Sequence, residues 1–162
     1  MKQKKSHSSA QGLPPAILPR SLIVRLSAAL MGIFLLCSAA QAEINIQKII
    51  QIESCSNPHA YNQRTQAAGL MQITPIVLRE YNRVAGRACE KDDLFNPAIN
   101  IFIGKWYFER IEKHYLKSKG TIKDILICYH DGYGNWEKWK KGKRKLGKEM
   151  LGYLKKYGYQ YD

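Results

Sequence analysis

Acidic side chains are scarce in this chain: 13 Asp and Glu stand against 26 Lys and Arg in 162 residues, a formal net charge of +13. A surplus of that size suits an anionic polymer such as a cell wall, a membrane surface or nucleic acid, although the ordinary solubility of a small basic domain explains any single lysine equally well. The basic residues come without a nucleic-acid recognition motif, so nucleic acid is the least expected partner. Cysteine is also sparse, with four residues, and no pair has metal-ligand spacing, which excludes a zinc site. Nothing else calls for a metal or an organic cofactor. Strong period-two alternation is missing and no repeat is found, so the chain reads as all-α rather than as a sheet. No apolar run is long enough to span a bilayer comfortably.

What is present begins with a leader. Lys2, Lys4, Lys5, Arg20 and Arg25 precede an apolar core from Leu26 to Cys37, followed by the small-residue site Ala40-Gln41-Ala42. This pattern predicts a signal peptide over 1–42, either cleaved after Ala42 or retained as an anchor, and hence an exported protein of the periplasm or cell envelope. Residues 43–162 then suffice for one compact domain with a modest core. Cys55, Cys89 and Cys128 remain in it, and export makes one disulfide an expectation, with the pairing open.

One acid is physically out of place. Isoleucines at 46, 49, 50 and 52 recur at helical spacing and Asn57-Pro58 ends the run, so Glu53 falls in the last helical turn. The carbonyl end of a helix resists a negative charge, and an apolar wall beside it would raise the carboxyl pKa further. That is how a general acid stays protonated near neutral pH.

The rest of the chain reads as helices joined by polar loops. Residues 57–68 form a loop leading into Gly69-Leu70-Met71-Gln72, where Gln72 between apolar neighbours needs a partner. Thr74-Pro75 starts a helix running to Gly86, and Asn96-Pro97 starts a central helix expected to end at Gly120. Gly104 inside that helix points to a close approach by another part of the chain, and Tyr107 reads as core. Thr121 with Asp124 makes a capping-box start to a fourth helix. It ends in Tyr129-His130-Asp131-Gly132-Tyr133-Gly134-Asn135, three hydrogen-bonding side chains and then two glycines, a run suited to a cleft wall or to an ordinary turn. A last helix is expected over 143–157, within a basic, Tyr-rich segment at 141–162 whose cations read mainly as a solvated face.

The motifs Glu53-Ser54, Asn57-Pro58-x-Ala60, Gly69-Leu70-Met71-Gln72-Ile73-x-Pro75, Asn96-Pro97 to Asn100, Gly104-x-x-Tyr107 and Tyr129-x-x-Gly132 occur in this order. From about Ile46 to Trp139 the chain resembles the lytic transglycosylase SLT domain of the lysozyme-like superfamily. That resemblance implies a single helical domain over 43–162 that cleaves the β-1,4 bond between N-acetylmuramic acid and N-acetylglucosamine in peptidoglycan without water, leaving a 1,6-anhydromuramoyl end. It implies Glu53 as the only acid and base, with the substrate's N-acetyl group assisting. Ser54, Met71, Gln72, Tyr129 and His130 are the expected sugar-binding residues. The chain departs from the family at Cys128-Tyr129-His130-Asp131-Gly132, where the family reads Ala-Tyr-Asn-Ala-Gly; Asp131 adds a carboxylate able to hold a water and divert the reaction towards hydrolysis, or to serve only as a cap. The competing readings are a muramidase hydrolysing the same bond and a non-catalytic cationic wall-binding protein. General wall turnover and gap opening for a secretion or pilus apparatus are both compatible with a domain of this size.

Overall fold

A computed structural model describes residues 43–160, and the leader expected over 1–42 lies outside them. The described chain is helical: α1 (Ile46–Ser54), α2 (Pro75–Ala85), α3 (Pro97–Arg110), α4 (Ile122–Asp131), α5 (Tyr133–Lys140) and α6 (Lys148–Tyr157), with a short 3-10 turn at Asp92–Phe95. Two isolated bridges, Tyr61 with Ala68 and Ala68 with Ile73, pin the loop between α1 and α2. Among the described residues there is no strand, as the absence of period-two patterning predicts. No described helix is long and apolar enough to cross a membrane.

Local chemistry sets most of the helix starts. Asn45 accepts the Lys48 N–H at 3.0 Å, Thr74 accepts from Val77, and Asn96 accepts from Ala98 and Ile99, with proline in the first turn of α2 and α3. The Thr121 and Asp124 side chains each accept the other's backbone N–H, completing the expected box with Asp in the place of Glu. Asp124 also accepts from Trp136 Nε1 at 2.8 Å and meets Lys140 Nζ at 3.1 Å. One buried carboxylate thereby ties α4 to α5.

The ends diverge from expectation in four places. Helix α1 stops at Ser54, ahead of Asn57-Pro58, because Cys55 and Ser56 both turn left-handed, with φ of 51° and 64°. The central helix does not reach Gly120: α3 gives way at Ile111–Tyr115 to a π turn, and Lys117 and Ser118 then adopt positive φ. The wider turn lets Ile111 and Leu116, five residues apart, both enter the core, while Tyr115 swings out to donate to Glu80. Only Gly132, with φ 85° and ψ 153°, breaks the chain after α4, whereas Gly134 stays helical, so α5 occupies a stretch read as turn. Helix α6 starts at Lys148 rather than Lys143, with Gly147 before it in extended conformation.

The core gathers around α3. Ile103, Tyr107 and Phe108 pack against Met71, Leu126 and Ile127, and Tyr107 is core as expected. Gly104 is the close approach its position predicts, since a Cβ there would strike the Met71 thioether. An alanine at 104 would gain about 1 kcal/mol of helix propensity but overpack a fully buried contact, which typically costs about 1–3 kcal/mol. Gly104→Ala is therefore expected to lower stability by about 1 kcal/mol, read as a lower urea midpoint at unchanged slope. The expected disulfide is not seen among the described residues: Cys55 is exposed, Cys89 half-buried and Cys128 buried, and all three are free thiols.

Candidate active site

Helix α6 brings the end of the domain back to its beginning. The Asn45 N–H donates to the Tyr157 hydroxyl at 3.0 Å, pairing the start of α1 with the end of α6, and the two helices pack together. They therefore run in opposite senses, and the first half of α6 lies beside Glu53. The carboxyl of Glu53 opens on two cavities of about 370 Å3 each. One is lined by Gln72, Tyr129, His130 and Asp131, and the other by Tyr153, Lys148 and Lys156. Glu53, His130 and Glu149 belong to both walls.

Burial raises the pKa of Glu53 above its ordinary value of 4.5, opposed by the nearby Tyr153 hydroxyl and by the positive charge available on His130. Desolvation by the packed helices thus supplies the protonating environment, as an apolar wall would. The Tyr153 hydroxyl is itself buried without an aligned hydrogen-bond partner, and burial and the neighbouring Glu53 charge both resist its ionisation.

Tyr129 approaches from α4. Its ring stacks on Phe108 with centroids 4.3 Å apart, and its hydroxyl donates to the Met71 carbonyl at 2.7 Å. Burial and the Glu53 charge hold its pKa far above the usual phenol range, so it acts as a neutral hydroxyl. Gln72 has φ of 48°, a conformation a side chain adopts at a cost. Its Nε2 donates to the carbonyls of Ala60 at 3.2 Å and Gly69 at 3.0 Å, so the partner it requires is the loop backbone, and its amide oxygen remains to accept from a ligand. His130 Nδ1 lies 2.8 Å from Asp131 Oδ1, and its ring leans on Tyr153 at 4.7 Å.

The structure places two of the expected sugar-binding side chains away from the cleft wall. The Met71 side chain is fully buried beneath Gly104, so it belongs to the core rather than to the cleft wall; its backbone instead holds Tyr129 and receives Asn100. Ser54 spends its hydroxyl on the Ile50 carbonyl at 3.1 Å and lines neither cavity. The structure brings together Glu53, Gln72, Tyr129 and His130. Sequence reading missed Tyr153 and Glu149. The Met150, Tyr153, Leu154 spacing marks the buried face of α6, but nothing local says that this face meets Glu53. Arg144, read as a solvated cation, reaches Asn135 at 2.7 Å and Asp131 at 3.7 Å. Among the described residues, no group of three or more His, Cys, Asp or Glu could hold a metal ion.

A helical domain with one desolvated glutamate at a helix end, beside an open polar cleft and a buried tyrosine, defines a lysozyme-like domain. The chain belongs to the transglycosylase SLT domain family, whose sequence profile matches residues 38–151. Over 93 residues it is 33% identical to the membrane-bound lytic murein transglycosylase E of Buchnera aphidicola subsp. Acyrthosiphon pisum (strain APS), covering 54% of this chain. The matched stretch spans 42% of that relative's own length.

Proposed function

We propose that the protein is an exported peptidoglycan lytic transglycosylase, with Glu53 as the single acid and base of the anhydro-forming reaction. The observation that carries this reading is the desolvated Glu53 carboxyl on the wall of a polar cleft, and the family membership and the relative's name agree with it. The protonated carboxyl gives its proton to the bridging oxygen as the anomeric C1–O bond breaks, and the substrate's N-acetyl oxygen closes on C1. The resulting Glu53 carboxylate takes the proton of the C6 hydroxyl, whose oxygen then displaces the N-acetyl oxygen to form the 1,6-anhydro ring. Atoms balance without water, and no second enzyme carboxylate is required. The neutral Tyr129 hydroxyl offers a lone pair or shape to the sugar beside the acid, and the Gln72 amide oxygen accepts from it.

Peptidoglycan glycan strands are the substrate under this reading, and the cell envelope or periplasm is the place of action. Service to a secretion or pilus apparatus is a proposal of the same kind, resting on the domain's small size. A cationic wall-binding protein without turnover would use the exposed lysines of α6 equally well, but it would have no use for a desolvated acid in a cleft. The direct test is mass analysis of muropeptides released from purified peptidoglycan. Anhydromuramoyl ends are expected; a complete absence of them overturns the assignment.

The pH dependence has a definite sign. Because burial raises the Glu53 pKa, the alkaline limb of the pH–rate profile is expected above the ordinary glutamate range, with activity falling as pH rises through it. A limb at 4.5, the value of an unburied glutamate, would remove the proposed proton donor.

A further inference from the structure

We infer that His130, oriented by Asp131, is a second base in this cleft, able to activate water so that a share of the cleaved strands ends as reducing muramic acid. The inference rests on the reading of Glu53 as the acid. Its ground is the arrangement around that acid. A carboxylate can only accept, so the 2.8 Å contact from His130 Nδ1 to Asp131 Oδ1 is made through an Nδ1–H, and in the neutral form of the ring Nε2 then carries the lone pair. The same division of labour, a carboxylate holding an imidazole in one tautomer, serves general-base catalysis elsewhere.

The pair is held in place. Asp131 also faces Arg144 at 3.7 Å, and the His130 ring leans on Tyr153 at 4.7 Å; both members are largely shielded, with side-chain exposures of 21% for His130 and 13% for Asp131. His130 shares both cavity walls with Glu53. A glycan strand lying along the Gln72 and Tyr129 side leaves the opening beside Lys148 and Tyr153 as an approach for water. At about 370 Å3, that opening exceeds by far the ~30 Å3 that one water occupies in the liquid.

The step balances. Once Glu53 has protonated the leaving oxygen and the N-acetyl oxygen has closed on C1, a water oxygen bonds to C1 as the bond from C1 to the N-acetyl oxygen breaks. One water proton passes to His130 Nε2 and returns through solvent to Glu53. The net change is addition of one water across the glycosidic bond. Attack by the C6 hydroxyl and attack by water compete for one intermediate, so the histidine alters the ratio of products.

The test digests purified peptidoglycan with the full chain in heavy-oxygen water and counts labelled reducing ends against anhydro ends among strands actually cleaved, whatever the total rate. Both ends are expected from the unsubstituted protein. His130→Asn and Asp131→Asn are each expected to lower the reducing-end share about a hundredfold or more, the lower end of what a positioned base contributes. If the unsubstituted protein leaves only anhydro ends, or if the ratio is unchanged in both variants, the inference falls and the transglycosylase reading stands. If no strand is cleaved at all, both fall.

Discussion

Glu53→Gln is expected to slow the cleavage of peptidoglycan strands by about a hundred- to ten-thousandfold, the range over which a positioned acid or base contributes. The substitution keeps the size of the side chain and removes its proton chemistry. It also carries a second, independent signature. A carboxyl whose folded pKa is raised binds its proton more tightly in the folded chain, so its contribution to stability is fully present below 4.5 and is lost as pH rises through the raised value. At neutral pH the native Glu53 is thus a liability. Glu53→Gln is expected to be the more stable protein at pH 7, with the difference closing as pH falls below the ordinary glutamate value. Parallel thermal unfolding across pH, alongside the digestion assay, reads both. An inactive variant with no gain in stability would mean that the carboxyl is not desolvated, and an active variant would end the catalytic reading.

Asn100→Ala is expected to cost about 3–5 kcal/mol, which is large against the ~5–15 kcal/mol total of a small domain. Asn100 is fully buried in the first half of α3. Its Oδ1 accepts the Met71 N–H at 2.7 Å, and its Nδ2 donates to the carbonyls of Ala68 and Leu94, both at 2.9 Å. Alanine leaves the Met71 N–H and the Leu94 carbonyl buried without a partner, each worth about 1–3 kcal/mol in lost solvation, and a void besides, while the Ala68 carbonyl keeps the Ile73 N–H at 3.0 Å. The damage extends to the site, because the Met71 carbonyl fixes the Tyr129 hydroxyl. A strongly lowered denaturation midpoint is expected, with reduced cleavage even where the variant remains folded. A loss under about 1 kcal/mol would show that water or a shifted loop takes over these bonds.

Much of this architecture is legible because its signals are local. Caps at Asn45, Thr74, Asn96 and Thr121 each act within three residues, so reading them requires no knowledge of the fold. Glu53 at a helix end and Gly104 under close approach are legible for the same reason. The errors arise where a distant partner overrides the local rule. The π turn at Ile111–Tyr115 answers to the core, which needs both Ile111 and Leu116. Helix α5 persists beside two glycines while Trp136 and Lys140 both reach Asp124 on the preceding helix. Met71 and Gln72 are adjacent and similar in motif terms, yet one is core and the other lines the cleft, because the loop turns left-handed at Gln72.

By itself the order of residues determined the helical character of the described residues, the helix that carries Glu53, and the motifs that place the chain in the SLT family. Those depend on spacing along the backbone, which a linear string preserves. Only the tertiary structure decided that α6 folds back antiparallel on α1, that Tyr153 and Glu149 stand by Glu53, and that burial raises the pKa of its carboxyl. Desolvation is made by atoms that are neighbours in space and remote in sequence, here about a hundred residues apart along the chain.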